Sequence, residues 1–206
     1  QQLAEVYDPE LDQPLTELGF IGGVDIAGEK VTVRFRLPTY WCAANFAYMM
    51  ASDIRERVSE LPWVQKVDVL LQDHFHDEEI NEGIKHGKPF LTAFPDATES
   101  LDDLRETFRV KAFQARQERV LRWLKGKGLQ EEAILEMRVG DLEQLLKKRP
   151  VAKQVERYLN IRHERGLPGD NSAEAFSHHD GTPIDPGGLQ MLLNKASSTR
   201  LSMEFN

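Results

Sequence analysis

The sequence predicts an α+β protein, in which a small three-stranded mixed sheet with helices precedes a mostly helical, extended carboxyl-terminal region. Residues 31–37 alternate between apolar and polar side chains, which is the period of a strand. Residues 46–61 repeat apolar side chains every three or four positions, which is the period of a helix. We divide the chain into an α/β domain (residues 1–72), an acidic connecting segment (73–100), a helical region (101–165) and a turn-rich extended tail with a short helix (166–206).

The α/β domain is expected to open with a helix and a β-hairpin. The motif Asp8-Pro9-Glu10 combines a capping residue, a first-turn proline and an acidic first turn, which is typical of a helix start. Two alternating runs then flank the turn sequence "AGEK" at residues 27–30, which predicts a hairpin. The glycine pair at residues 22–23 falls inside the first run and predicts a β-bulge or a close approach of another backbone segment.

A second helix and a third strand complete the predicted domain. The helix covers residues 43–61 and stops at Pro62, because proline cannot continue a helix. Residues 64–72 then supply a short apolar strand. The resulting order is helix, strand, strand, helix, strand, which fits a small sheet covered on one face by two helices.

The carboxyl-terminal half is predicted to be helical but poor in strong apolar stripes. We expect it to extend around the first domain or a partner, and not to form a compact domain of its own. The predicted helices cover residues 101–127, about 130–138, 141–148 and 151–164, with a short last one near 188–197.

Charge favours a protein partner over a nucleic acid. The formal net charge is −8, yet residues 107–127 carry seven basic groups against Glu118 alone. No pattern of aromatic residues and glycine for stacking bases accompanies this charge. We therefore expect partner binding at Arg116, Arg119 and Trp123. The alternative for Trp123 is that its side chain packs within the protein.

Apolar runs and cysteine content give expectations about the compartment. No stretch of 18 or more apolar residues exists, so no membrane association is expected. A single cysteine forms no internal disulfide, which fits a reducing cytoplasm.

That cysteine, Cys42, lies where a strand ends and a helix begins. The amino-terminal end of a helix favours a thiolate, and Arg34 and Arg36 on the neighbouring strand would add to that field. The alternative is a small buried residue in an apolar setting, because aromatic side chains lie at positions 40, 41 and 46. The residues alone leave both interpretations open.

The segment "QDHFHDEEINE" is the densest collection of groups that bind metals. His74 and His76, separated by one residue, point the same way on an extended chain, and Asp77 would add a carboxylate. The alternative is a solvated acidic loop that leaves a strand.

Residues 3–72 resemble the iron–sulfur cluster assembly domain family, whose members include SufT-like and PaaD-like proteins. The matching features, in order, are Asp8-Pro9-Glu10, Leu18-Gly19, Thr39 with Cys42, and Val67 with Val69. The resemblance implies that Cys42, Thr39, Asp8 and Glu10 form the site related to iron or a cluster. It also implies a non-catalytic accessory factor that assists metalloenzyme maturation, with no tightly bound cofactor beyond transient iron or an iron–sulfur cluster.

The resemblance further suggests the client of such a factor. Domains of this family occur beside di-iron hydrocarbon monooxygenases, so the expected partner is a multicomponent monooxygenase held by the carboxyl-terminal half. One residue departs from the family pattern, because Ala43 follows the cysteine where proline is usual. This departure favours the alternative of a structural subunit without cluster chemistry. A self-contained metal-dependent enzyme that uses His74, His76 and the adjacent carboxylates is the third interpretation. Common hydrolase, kinase and zincin motifs are absent.

Overall fold

The computed structural model describes residues 2–194 of the chain. The chain divides into an amino-terminal unit and a carboxyl-terminal unit, with the boundary between Glu106 and Thr107. The elements in chain order are β1 (Tyr7–Asp8), β2 (Gln13–Pro14), β3 (Ile21–Ala27), β4 (Lys30–Arg36), α1 (Ala44–Ser59), β5 (Lys66–Gln72), α2 (Asp77–Lys85), α3 (Phe90–Ala93), α4 (Leu101–Gly126), α5 (Glu131–Leu135), α6 (Val139–Leu145) and α7 (Ala152–Glu164).

The predicted α+β class and the three-stranded mixed sheet are confirmed. The strand order is β3-β4-β5, with β3 antiparallel to β4 and β4 parallel to β5. The β3–β4 hairpin closes at the pair Ala27 and Lys30, where Gly28 adopts a φ of +61°. The pairing register shifts between Ile21 and Gly23, at the glycine pair where a bulge or a close backbone approach was predicted. Because parallel strands need a crossover, α1 connects β4 to β5.

The prediction of a helix that starts at Asp8 is wrong, although the Asp8 side chain makes the predicted capping hydrogen bonds. The Asp8 side chain accepts hydrogen bonds from the backbone N–H groups of Glu10 (2.9 Å) and Leu11 (2.8 Å). The Asp12 N–H then donates to the Asp8 carbonyl at 2.9 Å, which closes one turn. Asp12 has a φ of +51°, so the helix cannot continue, and the chain pairs β1 with β2. A capping motif starts a turn, but tertiary pairing decides whether a helix follows.

The core of the amino-terminal unit lies between the sheet and α1. Val33, Phe35 and Ile54 are completely buried there, as the two sequence periods predict. Residues 73–100, predicted as a connecting segment, hold the helices α2 and α3. Ile80 and Ile84 of α2 are buried in the same core, since α2 packs on β5 and α1.

The carboxyl-terminal unit has a core of its own, which corrects the expectation of an extended region. Tyr158 and Phe113 are buried among apolar residues of four helices, together with Phe176 from the turn-rich segment. Sequence patterns missed this core because its helices are short and because non-helical segments supply part of it. The last predicted helix begins at 189 and is helical to 194, and its remaining positions lie outside the described residues.

The predicted long helix is confirmed as α4, which has 26 residues. Neither α4 nor any other helix in residues 2–194 combines the length and the apolarity needed to cross a membrane.

Candidate functional site

Cys42 lies in the turn that joins β4 to α1. Its backbone N–H donates to the carbonyl of Thr39 at 3.4 Å, and Ala43 is the N-cap residue of α1. The cysteine is a free thiol and is partly buried against the amino-terminal core. The strand end and the helix start therefore hold the thiol in a defined place.

Of the two interpretations that the sequence left open, the environment of Cys42 favours a protonated thiol. Burial is the main cause that raises the pKa of the Cys42 thiol to about 11, followed by the negative charges of Asp8 and then Glu10. A hydrogen bond from the backbone of Ala43 lowers the pKa only in part. Desolvation and two nearby carboxylates outweigh the helix terminus.

The two arginines that were expected to stabilise a thiolate form ion pairs with other residues. Arg34 pairs with Asp25, and Arg36 pairs with Asp73 at 2.6 Å. Sequence reasoning assigned their charge to Cys42 because it could not see these acidic partners.

The pKa gives a direct prediction for thiol chemistry. Alkylation of Cys42 by iodoacetamide should accelerate about tenfold per pH unit from about pH 7 to 10, because only the thiolate reacts. Asp8→Asn should speed the reaction at about pH 8, since it removes a negative charge but keeps the capping oxygen. Asp25→Asn, on the exposed pair with Arg34, is the control and should leave the rate unchanged. A rate that levels off near about pH 8 would contradict the raised pKa.

The structure brings together the four residues of the predicted cluster-related site. Thr39 bonds to Cys42 through the backbone, and the charges of Asp8 and Glu10 act on the thiol. Asp8 is buried, and this burial raises the pKa of its carboxyl despite the hydrogen bonds from Leu11 and Glu10. Among residues 2–194, no group of three or more His, Cys, Asp or Glu side chains is arranged to hold a metal ion. The site thus offers one thiol beside carboxylates, without a complete ligand set.

The ring of His74, one of the predicted metal ligands, links two backbone segments. Its Nδ1 accepts a hydrogen bond from the His76 N–H (3.1 Å), so Nε2 carries the proton and donates to the carbonyl of Cys42 (2.8 Å). Both ring nitrogens of this buried side chain are therefore engaged by backbone. Asp73 has a φ of +55° and α2 starts at Asp77, so the segment is not extended as the prediction assumed.

Comparison with known proteins agrees with this geometry. The model of the family described as iron–sulfur cluster assembly protein matches residues 1–70, which contain Cys42 and its neighbours Asp8, Glu10 and Thr39. The amino-terminal domain of this chain belongs to the iron–sulfur cluster assembly protein family. It is also similar to an uncharacterized protein of Methanocaldococcus jannaschii, with 34% identity over 85 residues. That match covers 40% of this chain and 86% of the archaeal protein.

The assembly-family domain also carries an exposed aromatic cluster beside Cys42, formed by Tyr40, Trp41 and Phe75. The exposed fractions of these residues are 47%, 76% and 58%. Trp41 and Phe75 stack with ring centroids 6.1 Å apart, and Tyr40 meets both rings edge-on. Sequence reasoning noted the aromatic pair before the cysteine but missed Phe75, whose only signal was an apolar residue between two histidines.

The predicted partner-binding residues lie in the carboxyl-terminal unit. Arg116 and Arg119 line a cleft of about 190 Å³ together with Lys153, Gln154 and Arg157. Arg116 is buried, and its guanidinium donates to the carbonyl of Arg157 at 3.2 Å.

Trp123 does not line this cleft. It packs against the carboxyl-terminal core, with the ammonium group of Lys127 5.5 Å from its ring. This packing favours the packing-anchor alternative for Trp123.

Proposed function

We propose that this protein is an accessory factor in metalloenzyme maturation, which binds a client and holds iron or an iron–sulfur cluster transiently at Cys42. The observation that carries the proposal is the incomplete site in an assembly-family domain. A thiol stands beside two carboxylates, yet the described residues provide no closed metal site. An incomplete ligand set suits transfer, because the client supplies the remaining ligands and keeps the metal.

The raised pKa of the thiol suits a resting state without metal. A protonated thiol is a poor nucleophile and resists stray oxidation. When iron binds, a sulfur–iron bond forms and the thiol proton leaves, because a coordinated thiol is deprotonated. The thiol proton would leave to solvent and the carboxylates of Asp8 and Glu10 would attract the cation, so metal binding and proton release are coupled.

The client of this factor is, in our proposal, a multicomponent di-iron monooxygenase. The support is the association of family domains with such oxygenases, together with a separate carboxyl-terminal unit that has its own core. This unit would hold the client at the cleft lined by Arg116, Arg119 and Arg157. It would leave the assembly-family domain free to act on the metal site.

The decisive experiment replaces Cys42 with serine. Stoichiometric partners are first identified by native pull-down of the tagged protein from its own host, followed by mass spectrometry. We expect Cys42→Ser to lower the iron content and the activity of the matured client by about tenfold or more, because serine lacks the soft ligand. The free energy of unfolding should change by less than about 0.5 kcal/mol, since the side chains are similar in size. Full client activity with serine would remove the role of the thiol.

The alternative is a structural subunit without cluster chemistry. Ala43, in place of the usual family proline, and the long carboxyl-terminal extension favour it. This alternative expects a stoichiometric complex that survives chromatography and a client that is indifferent to Cys42→Ser. The same substitution therefore separates the two functions.

A further inference from the structure

We propose that the aromatic cluster and an adjoining acidic groove bind a basic, arginine-bearing segment of a partner protein. The partner is the client of the proposed function, and the inference deepens that function by stating the chemistry of the segment recognised. Two independent features, exposed aromatic area and local charge, lead to it.

The aromatic cluster is a preformed surface. The backbone N–H of Phe75 donates to the carbonyl of Tyr40 at 3.1 Å, which ties the segment after β5 to the turn that carries Cys42. His74 joins the same two segments through its bond to the Cys42 carbonyl. Large aromatic side chains held this exposed are costly in water, and such patches mark contact sites. The cluster therefore presents the exposed Trp41 ring, supported by Phe75, without further ordering.

The acidic groove continues this surface beyond His76. The His76 ring lies 4.7 Å from the Phe75 ring and 5.4 Å from the Phe94 ring. The groove has a volume of about 610 Å³, and no lysine or arginine is found among its described lining residues. Those residues are Ala43, Ala44, Asn45, His76, Glu79, Phe90, Ala93, Phe94, Pro95, Asp96, Ala97, Thr98 and Glu99.

Charge decides the kind of occupant. Three carboxylates, from Glu79, Asp96 and Glu99, line the groove, and residues 73–106 contain ten acidic and three basic side chains. An acidic segment would be repelled there, whereas a basic one is attracted. The aromatic faces add cation–π attraction, which is stronger for the planar guanidinium of arginine.

A polar atom at the junction fits the same occupant. The His76 Nδ1 atom is buried without a hydrogen-bond partner and lies 3.6 Å from a carboxylate oxygen of Glu79. A guanidinium group donates several hydrogen bonds in one plane, so it can pair with the exposed Glu79 carboxylate beside this ring.

The test uses the full chain and two short peptides. One probe is an amidated tetra-arginine peptide, and the other is the tetra-citrulline peptide, which has the same shape without charge. Binding is followed by the ¹⁵N–¹H signal of the Trp41 indole in a titration. We expect the arginine peptide to shift this signal and the citrulline peptide not to, with binding that weakens as salt is raised. Equal binding of both peptides would overturn the proposal.

Matched variants separate the site from the general negative charge of the protein. Trp41→Ser should weaken the arginine peptide about two- to fivefold, as expected for loss of one exposed cation–π contact. Trp63→Ser is its control, because Trp63 is 42% exposed and lies outside the cluster. Glu79→Gln is paired with Glu78→Gln, which removes the same charge outside the groove. Because the Trp41→Ser variant lacks the Trp41 indole, the titrations of all four variants follow backbone ¹⁵N–¹H signals. The proposal would be overturned if Trp41→Ser and Trp63→Ser, or Glu79→Gln and Glu78→Gln, weakened binding of the arginine peptide equally.

Failure of this inference is distinguishable from failure of the proposed function. Peptide binding does not use the thiol, so Cys42→Ser should leave it unchanged. A factor that needs Cys42 for maturation but binds both peptides alike would retain the function and lose the docking proposal. A chain that binds the arginine peptide at Trp41 but matures its client with serine at position 42 would retain the docking proposal and lose the proposed role of the thiol. Self-association of this chain through the cluster, detected by concentration-dependent sedimentation that Trp41→Ser abolishes, would also overturn the proposal.

Discussion

Tyr158→Ala should lower the free energy of unfolding of the carboxyl-terminal unit by about 3–5 kcal/mol, the range for removing a buried aromatic ring. Tyr158 is fully buried, with Phe113 and Phe176 rings at 5.6 and 5.7 Å. Its hydroxyl accepts from the Gln117 side chain at 2.9 Å and donates to the Ala175 carbonyl at 3.0 Å. The alanine variant loses both the ring packing and these bonds. Since small domains are stable by about 5–15 kcal/mol, most of the margin would disappear.

Hydrogen exchange read by mass spectrometry locates the effect. Protection should fall in residues 107–194 and stay unchanged in residues 2–106, because each unit has its own core. Tyr158→Phe is the matched control and should cost only about 1 kcal/mol, since it keeps the ring and loses the hydroxyl. An equal loss of protection in both units would show that the two cores unfold as one.

His74→Ala should destabilise the amino-terminal unit by about 2–4 kcal/mol and expose the Cys42 thiol. The alanine leaves a cavity and removes the partners of two backbone groups, the Cys42 carbonyl and the His76 N–H. Without this connection the turn before α1 loosens. Chemical denaturation gives the stability, and alkylation at a fixed pH should become at least about fivefold faster as the thiol becomes exposed.

His76→Ala is the companion variant, because both histidines were predicted metal ligands. The His76 side chain is partly exposed, so its removal should cost less than about 1 kcal/mol. A chelator should have no effect on the wild-type chain if His74 acts as a structural link. If both variants and the chelator caused the same loss of stability, a metal bound by the two histidines would be the correct interpretation.

Local periodicity explains how much of the fold could be predicted. The hairpin at residues 27–30, the bulge at Gly22-Gly23, the crossover helix α1 and the long helix α4 all follow from side-chain spacing or glycine positions. These features depend on interactions within a few residues. The resemblance to the assembly family also rested on short ordered motifs, and the family match confirms it.

Features that depend on distant residues were not predicted. The partners of Arg34 and Arg36, the two backbone bonds of His74 and the burial of Asp8 all involve residues that only folding brings together. The carboxyl-terminal core was missed for the same reason, since Phe176 lies in a turn-rich segment without periodicity.

By itself, the sequence determined the class of the protein, the order of the three sheet strands and the crossover helix, the family of its first domain and the identity of its single thiol. Tertiary structure alone decided the state and surroundings of that thiol. Burial and the approach of Asp8 and Glu10 raise its pKa, where local helix geometry predicted the opposite. It also decided that Phe75 joins Tyr40 and Trp41. The physical reason is that periodicity encodes which face of an element is buried, whereas desolvation and side-chain pairing depend on which elements meet.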